Sequence, residues 1–469
     1  MVLIAATVLA SMVGFLDASV VNVAIPAIGK SLGANVATLQ WTLTSYLVTV
    51  AALLMISGVL ADRFGRRKIL AIGLLIIAAS AVICAVAPNS AILILARVIQ
   101  GFGGALVIPS SIALLSGSLR PEERARGIGI WAGLSTLGST VGPYAGGWVL
   151  DHSSWRWLFL LNIPLIILAL VALRGVPKDA GTSRHKLSTD TVGITATIIC
   201  LGGLIYALTQ GPAQGWTNPV VLVTGFLGVS ALIVLPFLER RVASPMLQLS
   251  LFKSRQFNAI NICTVLFYAT ISGASFLLTV QCEVQLGYSA AEAGAVLIPG
   301  SIVFLLLSPV SGALVSRYGP RWLMSLGILI VGGAIIWLSV ANPGVSYLQT
   351  ILPATLMWGL GLGLSVTPLT AAVIAAVPDT DIAEGSAVNN LASRIGGLLA
   401  IAALPAVAGA TGGRNLSDTL ADGYQLAMIV AGFLSLTAAV VAVLFVTNLD
   451  ANESGDPAGP LLSSSMPTT

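Results

Sequence analysis

The chain has 469 residues, 56% of them hydrophobic and only 9% charged, with a formal net charge of +4 and a mean hydropathy of +0.96. That is too few charges to cover a soluble surface, and apolar stretches recurring about every 30 residues identify a polytopic helical membrane protein. The stretches are continuous rather than alternating, which argues against a barrel. The small positive balance sits in short loops and carries no nucleic-acid signal.

Fourteen spans are predicted in chain order, near residues 2–25, 41–61, 69–87, 92–115, 127–150, 157–173, 191–208, 219–238, 257–281, 293–315, 322–340, 347–372, 385–407 and 424–446. The first run flows into polar positions that belong to a span and does not read as a cleavable leader. An even count puts both termini on one side. Alternate loops carry Arg63, Arg66, Arg67 and Lys68; Arg120, Arg124 and Arg126; Arg174, Lys178, Arg184 and Lys186; Arg240, Arg241, Lys253 and Arg255; and Arg317 and Arg321. These are 17 of the 22 cations, so those loops and both termini are assigned to the cytoplasm. Lys30, Arg156 and Arg414 lie outside, and Arg97 and Arg394 fall within spans.

A turn between the second and third spans, Gly58 to Lys68, packs five charges into seven residues. A weaker copy, Gly312 to Arg321, follows 254 residues later. Two related halves are implied. Spans seven and eight lie between them and carry almost no interior polar residues, so they read as an inserted pair. The organisation is then an amino-terminal six-helix bundle (1–176), a linker with two inserted helices (177–250), a carboxy-terminal six-helix bundle (251–447) and a Ser/Pro/Asp-rich tail (448–469) expected to be disordered.

Several stretches resemble a known family. Gly58 to Lys68 is similar, nearly letter for letter, to the signature turn of the major facilitator superfamily. Arg97-Val98-Ile99-Gln100-Gly101-Phe102-Gly103-Gly104 resembles its fourth-span motif. Gly138 to Gly147, with Gly142-Pro143 at its centre, resembles the fifth-span motif of its exporting antiporters. Leu16 to Pro26, and Trp155-Arg156-Trp157 with Phe159, Asn162 and Pro164, resemble the fourteen-span drug:proton antiporter branch. The resemblance covers every span and excludes only the tail. It implies an all-α membrane protein of the major facilitator fold, two six-helix pseudo-repeats plus two inserted helices, and an exporter rather than an importer. The second turn departs from the pattern, with Ser316 where the first has Asp62.

Ionisable residues inside spans are costly and point to function. Asp17 and Arg97 fall at similar depth in the outer half, where a pair is geometrically open. Asp17 reads as the proton site, and the alternative for Arg97 is a strut bracing backbone carbonyls. In the ninth span Asn261, Thr264, Tyr268, Ser272, Ser275, Thr279 and Glu283 follow the helical period, so one face is polar throughout. Glu283 at its outer end is a site for cationic substrates, a second proton site, or a solvated loop-edge acid. Asn390 and Arg394, with Ser386, Asn389 and Ser393, form a stripe that lines the cavity or snorkels to headgroups. Trp131 and Trp358 are cavity walls or core packing.

The expected cavity residues are therefore Asn261, Tyr268, Ser272, Thr279, Asn390, Arg394, Trp131 and Trp358, with Asp17, Arg97 and Glu283 for proton coupling. Gly138, Gly142, Pro143 and Gly146 form a close-packed, kinked helix surface. Gly58, Asp62, Arg63, Gly65 and Arg66 form a cytoplasmic gate, with Asp62 and Arg66 clasping neighbouring helices. Trp41, Trp155, Trp157, Trp216 and Trp322 fit an aromatic belt. No metal or cofactor is expected: His152 and His185 lie in loops, and Cys84, Cys200, Cys263 and Cys282 lack ligand spacing. No enzymatic constellation exists. The expected function is proton-coupled efflux of amphipathic or cationic small molecules by a monomer in the bacterial cytoplasmic membrane, in contact with lipid and no nucleic acid. A lipid or metabolite transporter is the alternative.

Overall fold

The computed structural model describes residues 2–119, 121–177, 191–240, 249–378, 382–409 and 416–448. Gly58, the side chains of Asp62 and Ser316, and most side chains from 121 to 136 lie outside that description. So do residues 178 to 190 and the tail from 449 onward.

The described chain forms fourteen helical rods. They are α1 (Val2–Leu32), α2 (Val36–Phe64), α3 (Arg66–Ala85), α4 (Ser90–Ser118), α5 (Pro121–His152), α6 (Arg156–Arg174), α7 (Thr191–Gln214), α8 (Pro219–Glu239), α9 (Arg255–Val284), α10 (Ala290–Ala295 and Ile298–Tyr318), α11 (Pro320–Leu338), α12 (Tyr347–Ala375), α13 (Ile382–Val407) and α14 (Leu416–Phe445). Thirteen combine the length and hydropathy needed to cross a bilayer. The remaining one, α5, has 32 residues, about 48 Å at 1.5 Å per residue. Its glycines and charged first turn lower its hydropathy, and it packs along α1 as a full-length member of the bundle.

Local chemistry sets the helix ends. Asn35, Asn89, Asn218 and Ser254 each accept a backbone N–H at a helix start. After Asp17, α1 tightens into a 3-10 segment at Val21–Ala24. Pro26 follows and cannot bond back to Asn22, which favours the tighter turn.

The duplication shows in the packing. In the first bundle α1 packs on α5 and α6, α3 on α4 and α6, and α2 on α4. In the second, α9 packs on α13 and α14, α11 on α12 and α14, and α10 on α12. Each pair recurs eight helices later. α7 packs on α2 and α13, so it lies along the seam, and α8 packs chiefly on α7. Most of α8 is left exposed to lipid, including Phe226, Leu232 and Phe237.

The bundles meet at the ends that the charge asymmetry assigns to the outside. Near the outer start of α2, Gln40 Nε2 donates to the carbonyls of Ile401 and Ala402 on α13, at 3.0 and 2.9 Å. Asp151, at the outer end of α5, accepts from the backbone N–H groups of Ala290 and Ala291, at 2.9 and 3.0 Å. Just below, α5 and α10 cross with no room for a side chain: a Cβ on Gly147 would run into the Ala290 carbonyl, and one on Gly294 into that of Pro143. The two bundles are in direct contact at these ends.

Candidate functional site

Asp17 and Arg97 meet. Both are essentially buried, 0% and 1% exposed, with Arg97 Nη1 2.7 Å from Asp17 Oδ2. The other carboxylate oxygen accepts from Gln100 Nε2 at 2.8 Å and Asn162 Nδ2 at 2.9 Å. Arg97 also donates to Gln100 Oε1 at 2.9 Å and, through Nε, to the Thr42 carbonyl at 3.1 Å. Its guanidinium lies 4.4 Å from the centre of the Tyr46 ring and 6.0 Å from that of Phe159.

Each partner follows from local structure. Gln100 is three residues after Arg97 on α4, hence on the same face. Asn162 opens the second part of α6. The cluster therefore ties α1, α2, α4 and α6 together. All three groups facing Asp17 are donors, the arrangement suited to an ionised carboxylate. A proton on Asp17 would replace one acceptor with a donor facing Arg97, and the four-helix tie would have to rearrange.

Glu283 lies elsewhere. It is partly buried at the outer end of α9, its Oε2 has no hydrogen-bond partner, and it lines a cavity of about 480 Å³ with Ser31, Asp151, Ser154 and Tyr288. Ala27 and Ser31 of α1 border that cavity, ten and fourteen residues beyond Asp17, or about 15–20 Å along the helix. The structure thus separates the three expected proton-coupling residues into a buried pair and a distant acid beside the outer contact. Sequence reasoning missed Asp151; only its place after the glycine run of α5 could have marked it.

The polar face of α9 is largely consumed by helix packing. Asn389 Nδ2 on α13 bonds Asn261 Oδ1 at 3.2 Å and Thr264 Oγ1 at 2.7 Å. Asn261 Nδ2 and the Thr279 hydroxyl each return to a carbonyl one turn back. These residues hold α9 to α13 or satisfy their own helix, and Asn261 also borders a cavity of about 660 Å³ among α7, α8, α9 and α13. Ser272 abuts α13, where a Cβ on Gly397 would meet its Oγ at 2.7 Å. Tyr268, Asn390 and Arg394 stay partly open.

Trp131 and Trp358 are packing residues. Trp131 is buried and donates to Ser11 Oγ at 3.0 Å. Trp358, 3% exposed, belongs to the core of the second bundle. Trp155 is also buried, edge-on to Phe159 and beneath the Arg156 guanidinium, so it is not a belt residue. Trp157, Trp216 and Trp322 are exposed at helix ends.

On α5, Gly138, Gly142 and Gly146 face α1. A Cβ on Gly138 would lie 2.7 Å from the Met12 carbonyl, one on Gly142 2.7 Å from Ser19 Oγ, and one on Gly146 would strike Val20. Close approach is the reason for glycine at all three.

At the charged turns Gly65 and Gly319 hold φ of 94° and 74°, which glycine adopts without strain. Arg63 is exposed and lies 5.2 Å from the centre of the Phe64 ring, and Arg317 repeats this over Tyr318 at 5.3 Å. Arg66 Nη1 donates to the Ala113 carbonyl of α4 at 3.0 Å. Arg67 donates to the Val176 carbonyl after α6, and Arg321 to the Val443 carbonyl of α14. Both turns are therefore fastened within their own bundle, and basic residues do this in each half. The expected role of Asp62 and Gly58 lies outside the described side chains.

Residues 7–401 match the Major Facilitator Superfamily, and residues 260–466 match it again. The chain belongs to that superfamily. It is a multi-pass membrane transporter and not an enzyme. It is 32% identical over 396 residues to the multidrug resistance protein Stp of Mycobacterium tuberculosis, covering 84% of this chain and 73% of that one. It is 32% identical over 459 residues to the puromycin resistance protein pur8 of Streptomyces alboniger, covering 94% and 90%. It is 31% identical over 435 residues to the methylenomycin A resistance protein of Bacillus subtilis, covering 92% and 91%. Among solved structures the peptide transporter POT in complex with sulfate superposes with a TM-score of 0.71 at 18% identity, over 94% of this chain and 93% of that one. The inward-open xylose transporter XylE from E. coli superposes with a TM-score of 0.63 at 15% identity, over 95% and 96%. At these identities the two structures show a shared fold alone.

Proposed function

We propose that this transporter is a proton-coupled exporter of amphipathic small molecules, antibiotics among them, working by alternating access between two bundles. The relatives named for multidrug, puromycin and methylenomycin A resistance support efflux. The charge asymmetry of the loops supports insertion in the cytoplasmic membrane with both termini inside. The protein works as a monomer among lipids, and the proton gradient supplies the energy in place of a cofactor.

The observation that carries the reading is the Asp17–Arg97 pair with its two amide partners. A buried carboxyl exchanges its proton according to its burial and its charged neighbours, and here both depend on the packing of four helices. Protonation breaks the pair, loosens α1 from α4 and α6, and reaches α5 through the glycine contacts on α1. Helix α5 carries Asp151 and the outer seal, so entry of a proton from outside and opening of that side are linked. Proton release to the inside restores the pair and the closed outer side.

Inside-out vesicles under an imposed pH gradient provide the test. Wild type should export a fluorescent substrate into the vesicle lumen, and Asp17→Asn should not. Full gradient-driven transport by Asp17→Asn would overturn the coupling.

A further inference from the structure

Arg394 is the second guanidinium inside the membrane, and its setting differs from that of Arg97. It lies at the middle of α13, twelve residues from Ile382 and thirteen from Val407. Either end is about 18–20 Å away at 1.5 Å per residue, beyond what the side chain can reach by snorkelling. Its Nε donates to Asn390 Oδ1 at 3.2 Å, one turn back on the same helix. No described carboxylate is paired with it.

The surrounding helices supply no acid at that level. α2 carries only Asp62, α9 only Glu283 and α13 only Glu384. Asp62 and Glu283 stand sixteen and fifteen residues along from Tyr46 and Tyr268, the tyrosines nearest Arg394 on those helices, or more than about 20 Å away; Glu384 is ten residues, about 15 Å, from Arg394 itself. Asp17 is committed to Arg97, Gln100 and Asn162.

Arg394 is also at the seam. Leu391, Ile395 and Leu398 around it pack with Leu47, Val48 and Ala51 of α2, next to Tyr46 of the first bundle, and a Cβ on Gly397, one turn further along α13, would lie 4.0 Å from the Tyr268 carbonyl of the second. Tyr46 is covered by its own bundle. Tyr268 makes no described hydrogen bond through its hydroxyl, which leaves a donor free. Arg394 is only partly covered although it sits at mid-depth, so it borders the space between the bundles. Substrate sites of transporters built from repeats lie at that level and on that interface. An intramembrane cation there with no protein counter-ion is complementary to an anionic ligand.

We propose that Arg394 recognises the transported molecule, and that this molecule bears an anionic group on an amphipathic body. The guanidinium grips the anion, and the Tyr268 hydroxyl donates a second hydrogen bond. The proposal rests on reading the chain as an exporter with its site between the bundles. It replaces a cationic substrate class with an anionic or zwitterionic one.

The test is a fluorescence titration of purified full-length protein in lipid nanodiscs with three matched probes: a dansyl-labelled long-chain carboxylate, its methyl ester, and its trimethylammonium counterpart. Wild type should bind the carboxylate about tenfold or more tighter than the other two, the usual scale for a hydrogen bond to a charged group. Arg394→Gln should remove that advantage while leaving ester binding within about twofold, and Arg394→Lys should restore part of it. Tyr268→Phe should weaken only the carboxylate, and it supports the same conclusion if Arg394→Gln fails to fold. Equal binding of the three probes, preference for the cation, binding of none, or equal loss of ester and carboxylate in Arg394→Gln would each overturn the proposal. No gradient is applied, so a failure here is distinct from a failure of proton-driven export.

Discussion

Replacing Asp17 by Asn keeps the shape of the side chain and removes its charge. One amide oxygen can still accept from Gln100 or Asn162. The amide nitrogen, however, takes the place of Oδ2, where Arg97 Nη1 stands 2.7 Å away, so donor faces donor. Arg97 keeps Gln100 Oε1 and the Thr42 carbonyl at 2.9 and 3.1 Å, which softens the loss. Removing one partner of a buried pair costs about 3–5 kcal/mol, and these remaining acceptors place the expectation at the lower end, about 3 kcal/mol. The assay is a double-mutant cycle by denaturant titration in mixed micelles, using Asp17→Asn, Arg97→Gln and the double variant. The double variant should recover most of the loss, giving a coupling of about 2–3 kcal/mol. In vesicles Asp17→Asn should lose gradient-driven export but keep gradient-free exchange of substrate. A coupling below about 0.5 kcal/mol would refute the claim that this pair is the tie between the helices.

Other expectations concern the outer contact and the packing. Asp151→Asn weakens the cap on α10, an interaction on the scale of about 0.5–2 kcal/mol; a reporter cysteine placed by Ser31→Cys should then react faster with a membrane-impermeant maleimide, and an unchanged rate would count against the latch. Gly147→Leu drives a side chain into the Ala290 carbonyl, so it should prevent outer closure and abolish transport. Gly202→Ala, where a Cβ meets nothing within 4 Å, should leave transport unchanged. Cys84, Cys200, Cys263 and Cys282 are unpaired and buried. The wild-type protein should therefore stay unlabelled until it is denatured, and rapid native labelling would mean that one of these helices is misplaced.

The features legible in the sequence were those set by local chemistry. Hydropathy sums over a stretch and a repeated turn keeps its glycine, so the spans and the duplication could be read residue by residue. Asp17, Arg97 and Arg394 stood out for the same reason, as ionisable groups in apolar runs. What each of them does could not be read that way. Gln100, Asn162 and the Thr42 carbonyl reach Asp17 and Arg97 from three different helices, and Asp151 finds its partners 139 and 140 residues away. Nor does a polar period say what a helix face meets. Asn261 and Thr264 turned out to hold α13, and Trp358 to fill a core, while Arg394 was left at the seam without a counter-ion. Those outcomes depend on which helices touch and at what depth, and only the packing of two bundles settles that.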